Sequence, residues 1–111
     1  MRSQKLFVKD IIDSMEAIEK FIAGLDYKDF INDDKTISAV IRKIEIIGDA
    51  TKNLSAEIIE KNADIPWSKF SQMRDKVIHG YFGVDNTIVW ETITMDLKKV
   101  LDPLKKLYSK I

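Results

Sequence analysis

Apolar residues recur at helical spacing along almost the whole chain, and nowhere does a strict two-residue alternation compete with it. Val8, Ile11, Met15, Ile18, Ile22 and Leu25 fall at alternating steps of three and four, which lays one stripe along an amphipathic helix from Leu6 to Leu25. Gly24 is its natural stop, and the aspartate-rich LDYKDFINDD that follows reads as a loop. A second long helix is expected to begin near Asp34 or Thr36 and run to about Asn62. Its stripe is Ile37, Val40 or Ile41, Ile44, Ile47, Thr51, Leu54 and Ile58. IPWSKF, Ile65 to Phe70, opens a short third helix: Pro66 suits a first turn, Trp67 is the anchor, and Phe70, Met73 and Val77 face the core. Gly80 and Gly83 end it. The last helix starts at Asp85 or Asn86, both good caps, and is expected to bury Trp90, Ile93, Leu97, Val100, Leu104 and Leu107. Pro103 lies inside that pattern, where a kink or an early stop is expected. The whole reads as one all-α domain over 1–111, an up-and-down bundle of three long helices and one short helix.

The second helix carries more apolar residues than one stripe uses. Ile46 and Ile59 sit off its centre, while Gly48 and Ala50 would let another backbone come close. Either the bundle absorbs this excess or a second copy of the chain covers it, and a homodimer contact through this helix is the expectation.

Composition narrows the chemistry. With no cysteine among 111 residues, disulfides and thiolate nucleophiles are excluded, and a single histidine leaves a transition-metal site short of its usual ligands. Nothing calls for a metal or an organic cofactor. The N-terminal MRSQKLFVKD becomes charged before a long apolar run can form, so no membrane association is expected and the default compartment is the cytoplasm. Lys+Arg and Asp+Glu are equal at 18 each, so no global field steers the molecule toward nucleic acid. Locally, Lys98, Lys99, Lys105, Lys106 and Lys110 outnumber Asp96 and Asp102, a pattern that either attracts phosphate or is a solvated helix face.

The only histidine sits in RDKVIHGYFG, Arg74 to Gly83. On a straight helix a spacing of five sets Arg74 and His79 about 140° apart. They converge only if the helix finishes near Ile78 and the chain turns at His79 and Gly80, as the glycines permit. An imidazole at a helix C-terminus is favoured in its protonated form, from a reference pKa of about 6.5. Arginine with histidine, and neither metal nor thiol, suits phosphoryl chemistry on RNA: the imidazole moves a proton at the 2′-hydroxyl or the leaving 5′-oxygen, and the guanidinium clamps the phosphate. One histidine cannot be acid and base at once, so a dimer would supply the second group. The plainer alternatives are a histidine that caps the last carbonyls, an arginine paired with a carboxylate such as Asp75, and a core Tyr81 with its hydroxyl at the surface.

Taken with their flanks, these residues resemble the HEPN superfamily, and within it the HepT-like toxins of prokaryotic toxin-antitoxin pairs. Arg74, Asp75 and His79 match its motif of arginine, a polar residue and a histidine a few positions on, and Tyr81 matches the HepT-type extension. IEIIGDATKNLS (Ile44 to Ser55), IPW (Ile65 to Trp67) and YFGVDNTIVWETITMDL (Tyr81 to Leu97) are similar to the family's flanking segments, so the likeness spans roughly residues 36 to 104. The resemblance implies a metal-independent endoribonuclease acting as a homodimer, with Arg74 and His79 catalytic and Asp75 supporting. It also implies a cognate minimal nucleotidyltransferase (MNT) antitoxin that transfers AMP to Tyr81, adding bulk and negative charge beside the cleft. Glu45, the acidic residue of the second-helix segment, either hydrogen-bonds the motif or pairs with Arg42 on the surface. Lys69, Arg74, Lys76 and the basic tail would have to hold RNA locally. The alternative from another class is a non-catalytic nucleotide-binding or scaffolding subunit of a nucleotidyltransferase complex, in which the same pair holds a phosphate.

Overall fold

A computed structural model of the chain describes residues 3–79 and 85–111, with the side chains of all of these except 77–79. The expected core contact of Val77, the imidazole of His79, the glycine turn at Gly80 and Gly83, and Tyr81 lie outside the described residues. Every regular element among those described is a helix: α1 (Gln4–Ile22), α2 (Tyr27–Ile31), α3 (Asp34–Lys52), α4 (Ala56–Lys61), α5 (Trp67–His79), α6 (Asn86–Glu91), a π-turn (Thr92–Asp96) and α7 (Leu97–Lys110). The result is an all-α helical bundle. α3 is its middle rod, packed against α1 on one side and α5 on the other, and α7 packs on α1.

The stripes meet as their spacing requires. Val8, Ile11, Met15 and Ile18 of α1 are buried with Val40, Ile44 and Ile47 of α3, Phe70 of α5 and Leu104 of α7. Side chains of this size each contribute about 1.5–3 kcal/mol when withdrawn from water, and their number is what makes a chain of this length fold. No helix among the described residues is long and apolar enough to cross a membrane.

Three boundaries differ from the sequence expectation. LDYKDFINDD is not all loop, because two of its aspartates are caps. Asp26 accepts from Asp29 N at 2.8 Å while Asp29 returns the bond to Asp26 N at 3.3 Å, a reciprocal cap that starts α2. Asp33 then accepts from Thr36 N at 3.1 Å and starts α3. α2 has a reason to form in Phe30, which is fully buried with its ring 5.0 Å from that of Trp90. Gly24, at φ +79°, does end α1 in the left-handed region that an L side chain resists.

The second boundary is the break between α3 and α4. The helix expected to run to Asn62 stops at Lys52 and restarts at Ala56, with Ser55 accepting from Ile58 N at 3.3 Å. Gln4 from the start of α1 bridges the break, accepting from Ser55 N at 2.6 Å and donating to Asn53 O at 3.2 Å. Thr51 and Leu54 are buried and Ile58 packs on the core, so the apolar spacing passes over the break without a trace. Ser55→Ala is expected to cost about 1 kcal/mol through loss of the cap, read as a lower urea midpoint at unchanged m-value. An unchanged midpoint would mean that Gln4 alone holds the break.

The third is the last helix. It begins at Asn86 behind Asp85, which accepts from Thr87 N at 2.8 Å, and it continues past Pro103 to Lys110 with no early stop. Burial of Val100, Leu104 and Leu107 on either side of the proline holds the rod together. A π-turn at Thr92–Asp96 shifts the register of α6, so Val89 is buried and Trp90 only half-buried. Thr92 and Thr94 donate their hydroxyls to the carbonyls of Ile88 and Trp90 at 2.7 and 2.6 Å, a back-bonding that favours such irregular turns.

The apolar surplus of the second helix is largely used within the chain. Gly48 faces α5, Ala50 is buried and Ile59 packs on the core, which leaves Ile46 of that set partly exposed.

Candidate active site

Of the candidate residues, Glu45 lies on α3 and Arg74, Asp75 and His79 on α5, and these two helices pack against each other. Those helices come close because residue 48 has no side chain. A Cβ built on Gly48 would overlap Arg74 Cβ, sit 2.6 Å from Arg74 Cγ and 3.1 Å from the carbonyl oxygen of Phe70. The stem of Arg74 therefore lies on the backbone of α3, and its side chain is only 23 % exposed.

From that position the guanidinium meets two carboxylates. Its Nε is 2.7 Å from Asp49 Oδ1, and its Nη1 donates to Asp75 Oδ1 at 3.3 Å. The Asp49 contact is an ion pair and not an aligned hydrogen bond: the buried Nε–H does not point at the oxygen beside it. Asp75 Oδ1 also accepts from Lys52 Nζ at 2.7 Å, so Asp49, Arg74, Asp75 and Lys52 form one formally neutral chain of charges across the seam. The hydrogen bond from Lys52, opposed by partial burial and helped by Arg74, holds the Asp75 carboxyl below its ordinary range. A carboxyl lowered in this way favours the folded state above its unfolded pKa of about 3.9, an advantage lost only as pH falls through the lower folded value. Near neutrality Asp75 is an anion.

Glu45 does not join this chain among the described residues. It accepts from Arg42 Nη1 at 3.4 Å, one turn before Asp49 on α3. His79 is the last residue of α5, one position past the expected helix end. Regular helical backbone runs from Arg74 through His79, so the turn at His79 on which their expected convergence depends is not made within α5, and the two Cα atoms stand about 140° apart around the axis. Lys69 is 3.0 Å from Asp96, and Lys105 is 3.7 Å from Glu16, so two of the basic groups expected to face RNA already have carboxylates.

Sequence reasoning missed Gly48 as the seat of Arg74, and it missed Asp49 and Lys52 altogether. The last two stand in the quoted segment IEIIGDATKNLS, but their partners come from another helix and no spacing along the chain announces them. The i, i+3 step from Asp49 to Lys52, a matched anion and cation on one face of α3, was the available signal.

A family model described as ribonuclease HepT-like matches residues 11–107. A protein of Thermococcus cleftensis named "Probable ribonuclease HepT" is 42% identical over 106 residues, covering 96% of both chains. A Caldanaerobacter subterraneus protein named "Putative RNase" is 36% identical over 110 residues, 99% of this chain and 98% of its own. A protein of Methanocaldococcus jannaschii bearing the same description is 42% identical over 110 residues, 99% of this chain and 91% of its own. No solved structure matches the chain at a significant level.

Proposed function

The chain belongs to the HepT-like ribonuclease family, and from that premise we propose that it is a metal-independent endoribonuclease, the toxin of a pair with a minimal nucleotidyltransferase. Arg74 and His79 carry the reaction. The 2′-oxygen attacks phosphorus as its proton passes to one imidazole, and the bond to the 5′-oxygen breaks as that oxygen takes a proton from a second. The products are a 2′,3′-cyclic phosphate and a free 5′-hydroxyl. Arg74 binds the non-bridging oxygens, where charge gathers in the transition state. Asp75, anionic and shared with Lys52, supports the guanidinium.

One observation carries this reading. Arg74 is held against α3 by its stem and by Asp49, with Asp75 of its own helix on Nη1, on the same helix that ends at His79. Two imidazoles imply two chains, so the active form is a homodimer. AMP transfer by the antitoxin to Tyr81 would set a phosphodiester anion beside the substrate path and repel RNA.

The test is cleavage of RNA in EDTA by wild-type protein whose Tyr81 is shown unmodified by mass spectrometry. Cleavage yielding cyclic phosphate ends supports the reading; a folded, unmodified dimer inert on varied RNAs overturns it. The neutral balance of the Asp49, Arg74, Asp75 and Lys52 network favours a second reading, since a structural arginine would be paired in this way. In that case the chain is a non-catalytic nucleotide-binding or scaffolding subunit, and His79→Ala weakens nucleotide or partner binding without any cleavage to lose.

Placement of the dimer contact on α3 has its own check. Ile46→Lys sets a charge where α3 keeps a partly exposed apolar side chain, and light scattering is expected to show monomers. A dimer that survives the change moves the contact elsewhere.

A further inference from the structure

The arginine assigned to the phosphate has its own support, and the two carboxylates beside it are not equivalent. Asp75 lies closer to Lys52, at 2.7 Å, than to Arg74, at 3.3 Å, so its charge is mainly answered by the lysine. Asp49 has Arg74 Nε at 2.7 Å and no other cation among the described residues. A guanidinium holds its N–H groups in one rigid plane, so whatever fixes Nε fixes where Nη1 and Nη2 point. Gly48 beneath the stem fixes where that plane begins.

We propose that Asp49 is the positioning residue of this site: its carboxylate, presented from α3, sets the tilt of the Arg74 guanidinium so that the Nη2 end faces a phosphodiester of bound RNA. The inference rests on the ribonuclease reading above. Nη2 makes no hydrogen bond among the described residues, whereas Nη1 donates to Asp75 and Nε lies against Asp49. The Nε–H lies close to Asp49 yet out of line with it, as polar contacts of an unliganded site often are.

Asp49 also places a negative charge near the RNA path. Its side chain is 51 % exposed, so truncation removes little packing. Positioning and simple structural support therefore predict opposite patterns. If Asp49 positions Arg74, Asp49→Ala lowers kcat while KM stays level or falls, because an anion that repels the substrate has gone. If Asp49 only braces the fold, KM rises and thermal stability drops with kcat.

The experiment is steady-state cleavage of a short RNA in EDTA by the wild type, Asp49→Ala, Asp49→Glu and Arg74→Ala, with the arginine Nε–H resonances followed by NMR. The chain has three arginines, at 2, 42 and 74, so the signals are few enough to assign. A misplacement of about 1 Å at a reacting centre costs on the order of 100-fold, so kcat for Asp49→Ala is expected to fall roughly 10- to 100-fold. Asp49→Glu should recover most of this, and the Arg74 Nε–H signal of Asp49→Ala should move toward that of a solvated arginine. Wild-type kcat in Asp49→Ala beside an inactive Arg74→Ala overturns the inference alone. Full activity in Arg74→Ala overturns the ribonuclease reading beneath it, and the inference with it.

Discussion

Arg74→Ala is expected to slow RNA cleavage about 100- to 1000-fold, the usual loss when a preorganised donor to a transition-state oxyanion is removed. His79→Ala removes the proton carrier and is expected to fall by about 100- to 10,000-fold. The arginine variant has two possible causes of loss, since its stem also covers Gly48 and its charge answers Asp49 and Asp75. Arg74→Lys separates them. It keeps a long stem and the positive charge but not the planar fork, so a protein that folds normally and still cleaves slowly assigns the effect to the guanidinium. Single-turnover rates, with circular dichroism melts of each variant, make the comparison. Cleavage at the wild-type rate by Arg74→Ala would remove the motif from the chemistry.

The second large effect comes from a single methyl group. Gly48→Ala places a Cβ within the stem of Arg74 and against the carbonyl of Phe70, neither of which is the free end of a flexible side chain. Overpacking of this kind costs about 1–3 kcal/mol. Alanine regains about 1 kcal/mol of helix propensity over glycine. The difference leaves a net destabilisation of up to about 2 kcal/mol, enough to lower the urea midpoint measurably. Activity should fall further than stability, because α5 and the root of Arg74 must move away from α3 and carry the guanidinium with them. Equal or greater stability in Gly48→Ala would mean that the seam has slack, and that the close approach of α3 and α5 is not what seats Arg74.

Different parts of this molecule were legible to different degrees. The core stripes of α1, α3 and α7 follow from spacing alone, because burial on one face is what fixes apolar residues at steps of three and four. Helix ends were harder, because a cap is one side chain reaching one N–H. Asp26 and Asp33 look like loop residues until α2 and α3 stand behind them, and the break at Asn53 hides inside an unbroken stripe. At the site, Arg74 and Asp75 were visible as neighbours on one helix. Asp49 and Lys52 reach them only after α3 and α5 have packed, a contact separated by 23 residues between Lys52 and Asp75. Gly48 was read as room for another backbone, of the bundle or of a second copy, and what approaches it is α5 of the same chain.

The π-turn at Thr92–Asp96 amounts to a one-residue insertion that the last rod has absorbed without breaking. Its consequence is a change of phase. α7 keeps step with α1 through Val100, Leu104 and Leu107, while α6 takes its bearing from α2, where Tyr27 bonds Thr87 at 2.6 Å and the Trp90 ring packs at a tilt against Phe30. A strictly α rod would have to satisfy both neighbours with one period. Here the two halves are geared separately, so either face can drift in sequence without putting the other out of register.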